Sequence, residues 1–233
     1  MRPPMTAKLL ESSEIAPDVR HFVFEVQDAE SFSYVPGQFV SFTADIGGSP
    51  ITRAYSMASP PGGRRFELCL NRVLEGHLSP YLFDLKPGDQ IQATGPWGSF
   101  IFRQPAEDSV LVAAGTGIVP FRAMLRDQLA RDRSHQYTLL FGVRHERGLL
   151  YRREFEELAE MHPNFRFWPT LSRPETDWTG RAAHVQQHLF EAIGERRDVN
   201  VFICGLKAMV DDVRSILKAQ GFDRKQIIYE KYD

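Results

Sequence analysis

Two cysteines, Cys69 and Cys204, are all that this 233-residue chain contains. Two thiolates cannot supply the four that an iron–sulfur cluster takes, so no such centre is expected within it. A disulfide between them stays open on number alone. They fall in halves of different periodicity, however, and reduced thiols in a cytoplasmic protein are the simpler expectation. Long apolar runs are missing as well. None approaches the roughly 18 residues that span a bilayer, and Met1-Arg2-Pro3-Pro4-Met5 offers no apolar stretch for a signal peptide. Charge of one sign is also missing. With 28 Lys and Arg against 30 Asp and Glu the formal net charge is −2, which announces neither a nucleic-acid nor an anionic-membrane surface. The histidines are scattered. His184 and His188 stand within one turn of an expected helix, but no acidic or sulfur partner accompanies them, so no metal site is expected.

What is present is enough apolar matter for two cores. Hydrophobic residues make up 42% of the chain and 17 of them are Phe, and the length suits two domains of roughly 100–130 residues. The periodicity changes once. Up to about Phe102 it alternates, as over 19–26, 38–42 and 65–70, with turn chemistry at Pro36-Gly37, Gly47-Gly48, Gly62-Gly63 and Pro87-Gly88-Asp89. One short helix is expected over 79–85, and the whole reads as an antiparallel β-barrel. After Gln104-Pro105 apolar strands alternate with amphipathic helices. Strands are expected over 109–114, 137–141, 165–170, 199–204 and 226–229, and helices over 120–131, 153–161, 183–193 and 206–220. That grammar gives a parallel sheet of βαβ units, and the domains are placed at 1–104 and 105–233.

Within the first half, Arg53-Ala54-Tyr55-Ser56 collects three tools in four positions. A guanidinium fork suits a diphosphate, a tyrosine ring suits a flat ring or a ribose, and a hydroxyl can reach a heteroatom. Strand alternation puts Arg53 and Tyr55 on one face. Taken alone, the same residues also read as a surface Arg and a half-buried Tyr on an ordinary strand.

In the second half the strand over 109–114 runs into Gly115-Thr116-Gly117-Ile118-Val119-Pro120. Glycines allow a tight turn whose N–H groups face a ligand, and a helix start at a strand's carboxyl end is an anion site fit for a pyrophosphate. The turn lacks the third glycine of the G-x-G-x-x-G fingerprint, and alone it also reads as a plain strand–helix turn. Arg144 follows the second strand, Ser172-Arg173 the third, and Arg181 opens the next helix. Three guanidiniums near strand ends can grip the 2′-phosphate of NADP, or be solvated loop arginines. Glu146, after the second strand, is a candidate for the bare ribose of NAD instead.

Together these motifs, in this order along essentially the whole chain, resemble the ferredoxin–NADP(H) reductase superfamily. The resemblance implies an FAD-binding barrel followed by a pyridine-nucleotide domain. Arg53-Ala54-Tyr55-Ser56 matches its R-x-Y-S, which implies Arg53 on the FAD diphosphate, Tyr55 against the flavin and Ser56 near flavin N5. Gly76-His77-Leu78-Ser79 resembles the segment that binds the pyrophosphate at a helix start. Leu70-Asn71-Arg72-Val73 resembles the neighbouring strand that contacts the flavin by its backbone. Gly95-Pro96-Trp97-Gly98-Ser99-Phe100 is similar to the stretch that closes the barrel, and Gly115-Thr116-Gly117 to the nucleotide turn. Cys204-Gly205 resembles the pair that lies near the nicotinamide, although Cys204 by itself also reads as a buried apolar thiol. Glu230-Lys231-Tyr232, here followed by Asp233, resembles the terminus whose aromatic covers the flavin.

The resemblance implies an FAD enzyme that oxidises NADPH, or NADH, by hydride transfer to the flavin and reduces a one-electron carrier such as ferredoxin or flavodoxin. Ser56, Cys204, Glu230 and Tyr232 are then the candidate catalytic residues. Ser56 and Glu230 would serve hydrogen bonding and proton supply, and a mobile Tyr232 would gate the nicotinamide. The alternatives are the reductase component of an oxygenase system, a flavin or ferric reductase, and a non-catalytic nucleotide-binding module. A monomer is the default expectation.

Overall fold

The structure, a computed structural model, describes residues 3–232. Met1 and Arg2 of the leader reading, and Asp233, lie outside the described residues. Two compact units emerge. The first runs to Ile101 and includes Val119–Asp127; the second comprises Phe102–Ile118 and the chain from Gln128 onward. The expected contiguous split at residue 104 therefore has an exception, since a helical segment from the second half groups with the first unit.

The first unit contains β1 (Met5–Ala16), β2 (Val19–Val26), β3 (Phe39–Ile46), β4 (Ser49–Ser56), β5 (Arg65–Asn71), a short α1 (Leu78–Asp84) and β6 (Gln90–Trp97). These strands form one antiparallel sheet in the order β4-β3-β6-β1-β2-β5. Just past β4, Met57 bridges Leu68 of β5 and closes the sheet on itself. The barrel seam therefore lies there. The Gly95-Pro96-Trp97 stretch belongs to β6, which lies between β3 and β1. Alternation decides which side chains enter the barrel: Phe22 and Phe24 of β2, Phe42 of β3 and Phe66 of β5 are fully buried. Their rings meet edge-on or stacked, Phe24 with Phe42 at 4.9 Å and with Phe66 at 5.7 Å between centroids. Truncating such a ring to alanine costs about 3–5 kcal/mol.

The second unit contains β7 (Ser109–Ala114), β8 (Tyr137–Val143), α3 (Arg152–Met161), β9 (Phe165–Leu171), β10 (Arg181–Ala182), α4 (Val185–Ile193), β11 (Asn200–Leu206), α5 (Lys207–Ala219) and β12 (Ile227–Tyr232). Helix α2 (Val119–Leu129) follows β7. The parallel sheet has the order β10-β9-β8-β7-β11-β12. Arg181 does not open a helix. It opens the two-residue β10, paired with Thr170, and the chain then bends at Ala183, which has φ +154° and whose N–H donates to Leu171 O at 2.9 Å. Helix α4 starts only at Val185. Alternation over two residues leaves no periodic trace, which is why the sequence hides β10.

At the amino end of β8 a polar knot replaces apolar packing. The Asp132 carboxylate accepts from the Tyr137 hydroxyl at 2.5 Å, His135 Nδ1 at 2.8 Å, Gln128 Nε2 at 3.2 Å and the Ser134 N–H at 2.8 Å. Desolvation opposes ionisation, but these bonds together outweigh it and hold the carboxyl well below the usual range. A depressed native pKa contributes stability at neutral pH that is lost as pH falls below the unfolded value of roughly 4. Asp132→Asn is therefore expected to lower the urea midpoint at pH 7, with the deficit shrinking as pH drops from about 5 toward 2. A deficit that stays constant over that range contradicts this.

Candidate functional site

In the first unit β4 is the outlying strand. Its Thr52, Arg53 and Ala54 are exposed, Tyr55 is half-buried and Ser56 is buried. Pairing sets Arg53 opposite Phe42 and Tyr55 opposite Val40, so Arg53 and Tyr55 do share a face. The Tyr55 ring packs on Phe42 at 6.1 Å. Burial pushes its phenol up to about 12, against the opposing charge of Arg53. The hydroxyl is thus a neutral donor at all physiological pH. Arg53 Nη1 donates to its neighbour's Thr52 O at 2.8 Å, and the guanidinium stays exposed.

The other two barrel segments meet at Val73. Its N–H donates to Ser79 Oγ at 3.0 Å, and its carbonyl accepts from Gly76 N at 2.9 Å. This folds Leu70-Asn71-Arg72-Val73 back over Gly76-His77-Leu78-Ser79. A Cβ on Gly76 would crowd Val73 O at 3.1 Å. His77 stands at the N-cap of α1 without a side-chain bond to it, and α1 packs beside β4. The start of α1, which the His77 side chain does not cap, the exposed Arg53 fork and the Tyr55 face suit a diphosphate joined to a flat ring. Val73 and Leu74 stand out at 45% and 77% exposure, apolar surface that such a ligand would cover. The residues present fit FAD.

In the second unit the strand order reverses direction at β7, which lies between β8 and β11. A crevice at the carboxyl ends of such strands is where ligands bind in open α/β sheets. Gly115, with φ +55°, begins the turn there, Thr116 and Gly117 complete it, and Pro120 lies in the first turn of α2. Gly117 has a different duty from the one the motif suggests. A Cβ on it would lie 2.2 Å from Cys204 O and 2.7 Å from Gly205 Cα, so its lack of a side chain lets the turn press against the end of β11.

Parallel pairing of β11 with β12 then sets Cys204 beside Glu230 and Leu206 beside Tyr232. Burial pushes the Cys204 thiol well above its ordinary value, the Glu230 charge adds to this, and a hydrogen bond with Tyr232 opposes it. Cys204, Glu230 and Tyr232 are thus one cluster, with the thiol held protonated. Lys231, between the two β12 residues, is tied to Asp211 of α5 at 2.7 Å.

The arginines divide. Arg173 N donates to Arg144 O at 2.8 Å and Ser172 N to Val143 O at 2.9 Å, so the loops after β8 and β9 run side by side. Both guanidiniums are exposed, and among the described residues no acid pairs with either. Arg181 is engaged elsewhere: it stacks 3.8 Å over Trp168 and donates to Glu191 at 2.7 Å. Its other side lines a cleft of about 430 Å³ with Trp178, Gly180, Arg152, Glu146 and Asp177. Glu146 is bound there by Arg152. Sequence reading missed this cleft, whose signal is the run Trp178-Thr179-Gly180 directly before Arg181.

Among the described residues no group of three His, Cys, Asp or Glu could hold a metal, and no helix is long and apolar enough to cross a membrane.

Residues 6–102 match the family model of the oxidoreductase FAD-binding domain, and residues 111–215 that of the oxidoreductase NAD-binding domain. The chain is 39% identical to a ferredoxin–NADP reductase B of Sorangium cellulosum, over 99% of this chain and 98% of that protein. It is 34% identical to the reductase subunit of an aromatic O-demethylase from Amycolatopsis, covering 98% of this chain and 69% of the relative. Identity to the electron transfer component of toluate 1,2-dioxygenase from Pseudomonas putida is 30%, over 86% of this chain, which spans 59% of that protein. Among solved structures an Amycolatopsis cytochrome P450 reductase superposes with a TM-score of 0.89 at 32% identity, over 99% of this chain and 71% of that one.

Proposed function

As this chain belongs to the ferredoxin–NADP(H) reductase family, a flavoenzyme with an FAD-binding and an NAD-binding domain, we propose that it takes hydride from NADPH and reduces a separate one-electron carrier protein, ferredoxin or flavodoxin, in the cytoplasm. The observation that carries the NADPH reading is the pair Arg144 and Arg173, bonded backbone to backbone, exposed, and without an acidic partner among the described residues. Two forks carried on adjoining loops suit a dianionic phosphate better than a ribose hydroxyl. The carrier reading is supported by the end-to-end match to a ferredoxin–NADP reductase.

When bound, the flavin exchanges a hydride's electron pair for single electrons. The chain's own residues bind and orient. Arg53 and the start of α1 would hold the diphosphate, with Tyr55 offering its face and Ser56 a hydroxyl beside it. The backbone of residues 70–73 would flank the ring. Gly115, Thr116 and Gly117 would receive the nucleotide's pyrophosphate, and Ser172 would assist Arg144 and Arg173. Arg181, already bonded to Glu191 by Nη2, has fewer donors left for a phosphate. Cys204 stays a neutral thiol, so it serves as packing and hydrogen-bond partner to Tyr232 rather than as a nucleophile. Glu230, paired beside Cys204, would serve hydrogen bonding and proton supply there.

The purified protein is expected to be yellow, or to become so with FAD, and to bleach on anaerobic addition of NADPH. A colourless preparation that FAD cannot reconstitute refutes the reading. Reduction rates with a panel of ferredoxins and flavodoxins then test the carrier. A second reading, the reductase component of an oxygenase, is favoured by the 34% identity to the O-demethylase reductase subunit; preferential reduction of an oxygenase component would select it.

A further inference from the structure

The barrel seam lies between the two stretches that would grip the flavin. Ser56 ends β4, and the next residue, Met57, forms the isolated bridge to Leu68. Ala58 N donates to Glu67 O at 2.7 Å. From there β5 runs on toward Leu70 and Val73. Residues 53–56 and 70–73 therefore diverge from one short seam, and β4 and β5 are joined only by the isolated bridge just past β4.

A buried cation clasps that seam. Arg122 of α2 directs Nη1 at both sides of it, to Ala58 O at 2.8 Å and to Glu67 Oε2 at 2.5 Å. Its side chain is 9% exposed. On the far side Ser59 Oγ accepts from Glu67 N at 3.1 Å and bonds the Tyr34 hydroxyl at 3.0 Å. The Tyr34 phenol is pushed up to about 12, chiefly by burial. The clasp thus comes from beyond residue 102, where the FAD-domain match ends, on the segment Val119–Asp127 that belongs to the first unit.

We propose that Arg122 is a positioning residue of the FAD site, setting the spacing of residues 53–56 from residues 70–73 by bonding Ala58 and Glu67 at once. It rests on the flavoprotein reading above. Breaking such a pair leaves its partner without its main cation, here a Glu67 carboxylate that is 26% exposed and keeps His21 Nε2 at 3.6 Å, whereas replacing both members by apolar side chains is often neutral. Stability and flavin affinity should therefore separate.

The test compares Arg122→Met, Arg122→Lys and the double variant Arg122→Met with Glu67→Met. Three readouts are taken: FAD titration of apoprotein, the shape of the bound flavin's visible band, and amide exchange at Ala58 in apoprotein. Arg122→Met is expected to weaken FAD by about 10-fold or more, the scale of one charged hydrogen bond, and to speed Ala58 exchange by a similar factor. Lysine should recover part of the affinity. The double variant should regain thermal stability but not FAD affinity, because Ala58 O still lacks its donor; it also carries the titration if Arg122→Met does not fold. Wild-type FAD affinity and band shape in the double variant would overturn the proposal. So would unchanged Ala58 protection in apoprotein, an arm that judges the clasp even if the wild type binds no FAD, which would defeat the flavoprotein reading instead.

Discussion

Replacing Arg53 by alanine is expected to weaken FAD binding by about 10- to 100-fold while leaving the barrel's melting temperature nearly unchanged. The asymmetry follows from where Arg53 sits. It is exposed on β4, and its guanidinium bonds the adjacent Thr52 carbonyl, so the fold loses little; exposed substitutions of this kind stay within about 0.5 kcal/mol. A charge-assisted hydrogen bond to a diphosphate contributes about 1.5–3 kcal/mol, and each 1.4 kcal/mol is a factor of ten. Lysine keeps the charge but not the fork, so Arg53→Lys should fall between. Flavin fluorescence titration of apoprotein measures the loss, and normal retention in Arg53→Ala would remove this residue from the site. Tyr55 would then have to hold its ring without the neighbouring cation.

Alanine at both Arg144 and Arg173 should raise KM for NADPH by about 100-fold or more and KM for NADH by less than about 3-fold. The two guanidiniums sit on loops bonded backbone to backbone, so removing side chains leaves the loop frame in place. Each fork lost from a phosphate is worth about 1.5–3 kcal/mol, and NADH has no 2′-phosphate to lose it from. Arg181 is left intact in this variant because it is already bonded to Glu191 and stacked on Trp168. Steady-state kinetics with both nucleotides decides the matter. Equal losses would show that the arginines support the loops or the shared part of the nucleotide, and the NADPH assignment would fall.

Much of this was readable from sequence because it is local. Strand β7 runs over Ser109–Ala114 as the apolar run predicted, and β2 over Val19–Val26 as its alternation did. The turn at 115–117 and the tetrapeptide at 53–56 carry their chemistry in adjacent residues. The helix ascribed to Arg181 failed for an equally local reason. Ala182 suits a helix, but pairing of Arg181 and Ala182 with Thr170 and Leu171 of β9 held them extended, and that ladder is not written in their own composition.

The sequence by itself determined the two periodicities, the order of the motifs and the residue types offered to a dinucleotide, since strand, turn and helix-start preferences act over a few residues. Only the tertiary structure decided how those residues are employed. It gave Gly117 to the packing of β11, committed Arg181 to Trp168 and Glu191, and left Arg144 and Arg173 open. It also brought Arg122 to Ala58, 64 positions away, to clasp the barrel. Such pairings follow from register and burial across elements, where a desolvated charge must find a partner or stay out, and no periodic pattern along the chain records which partner it finds.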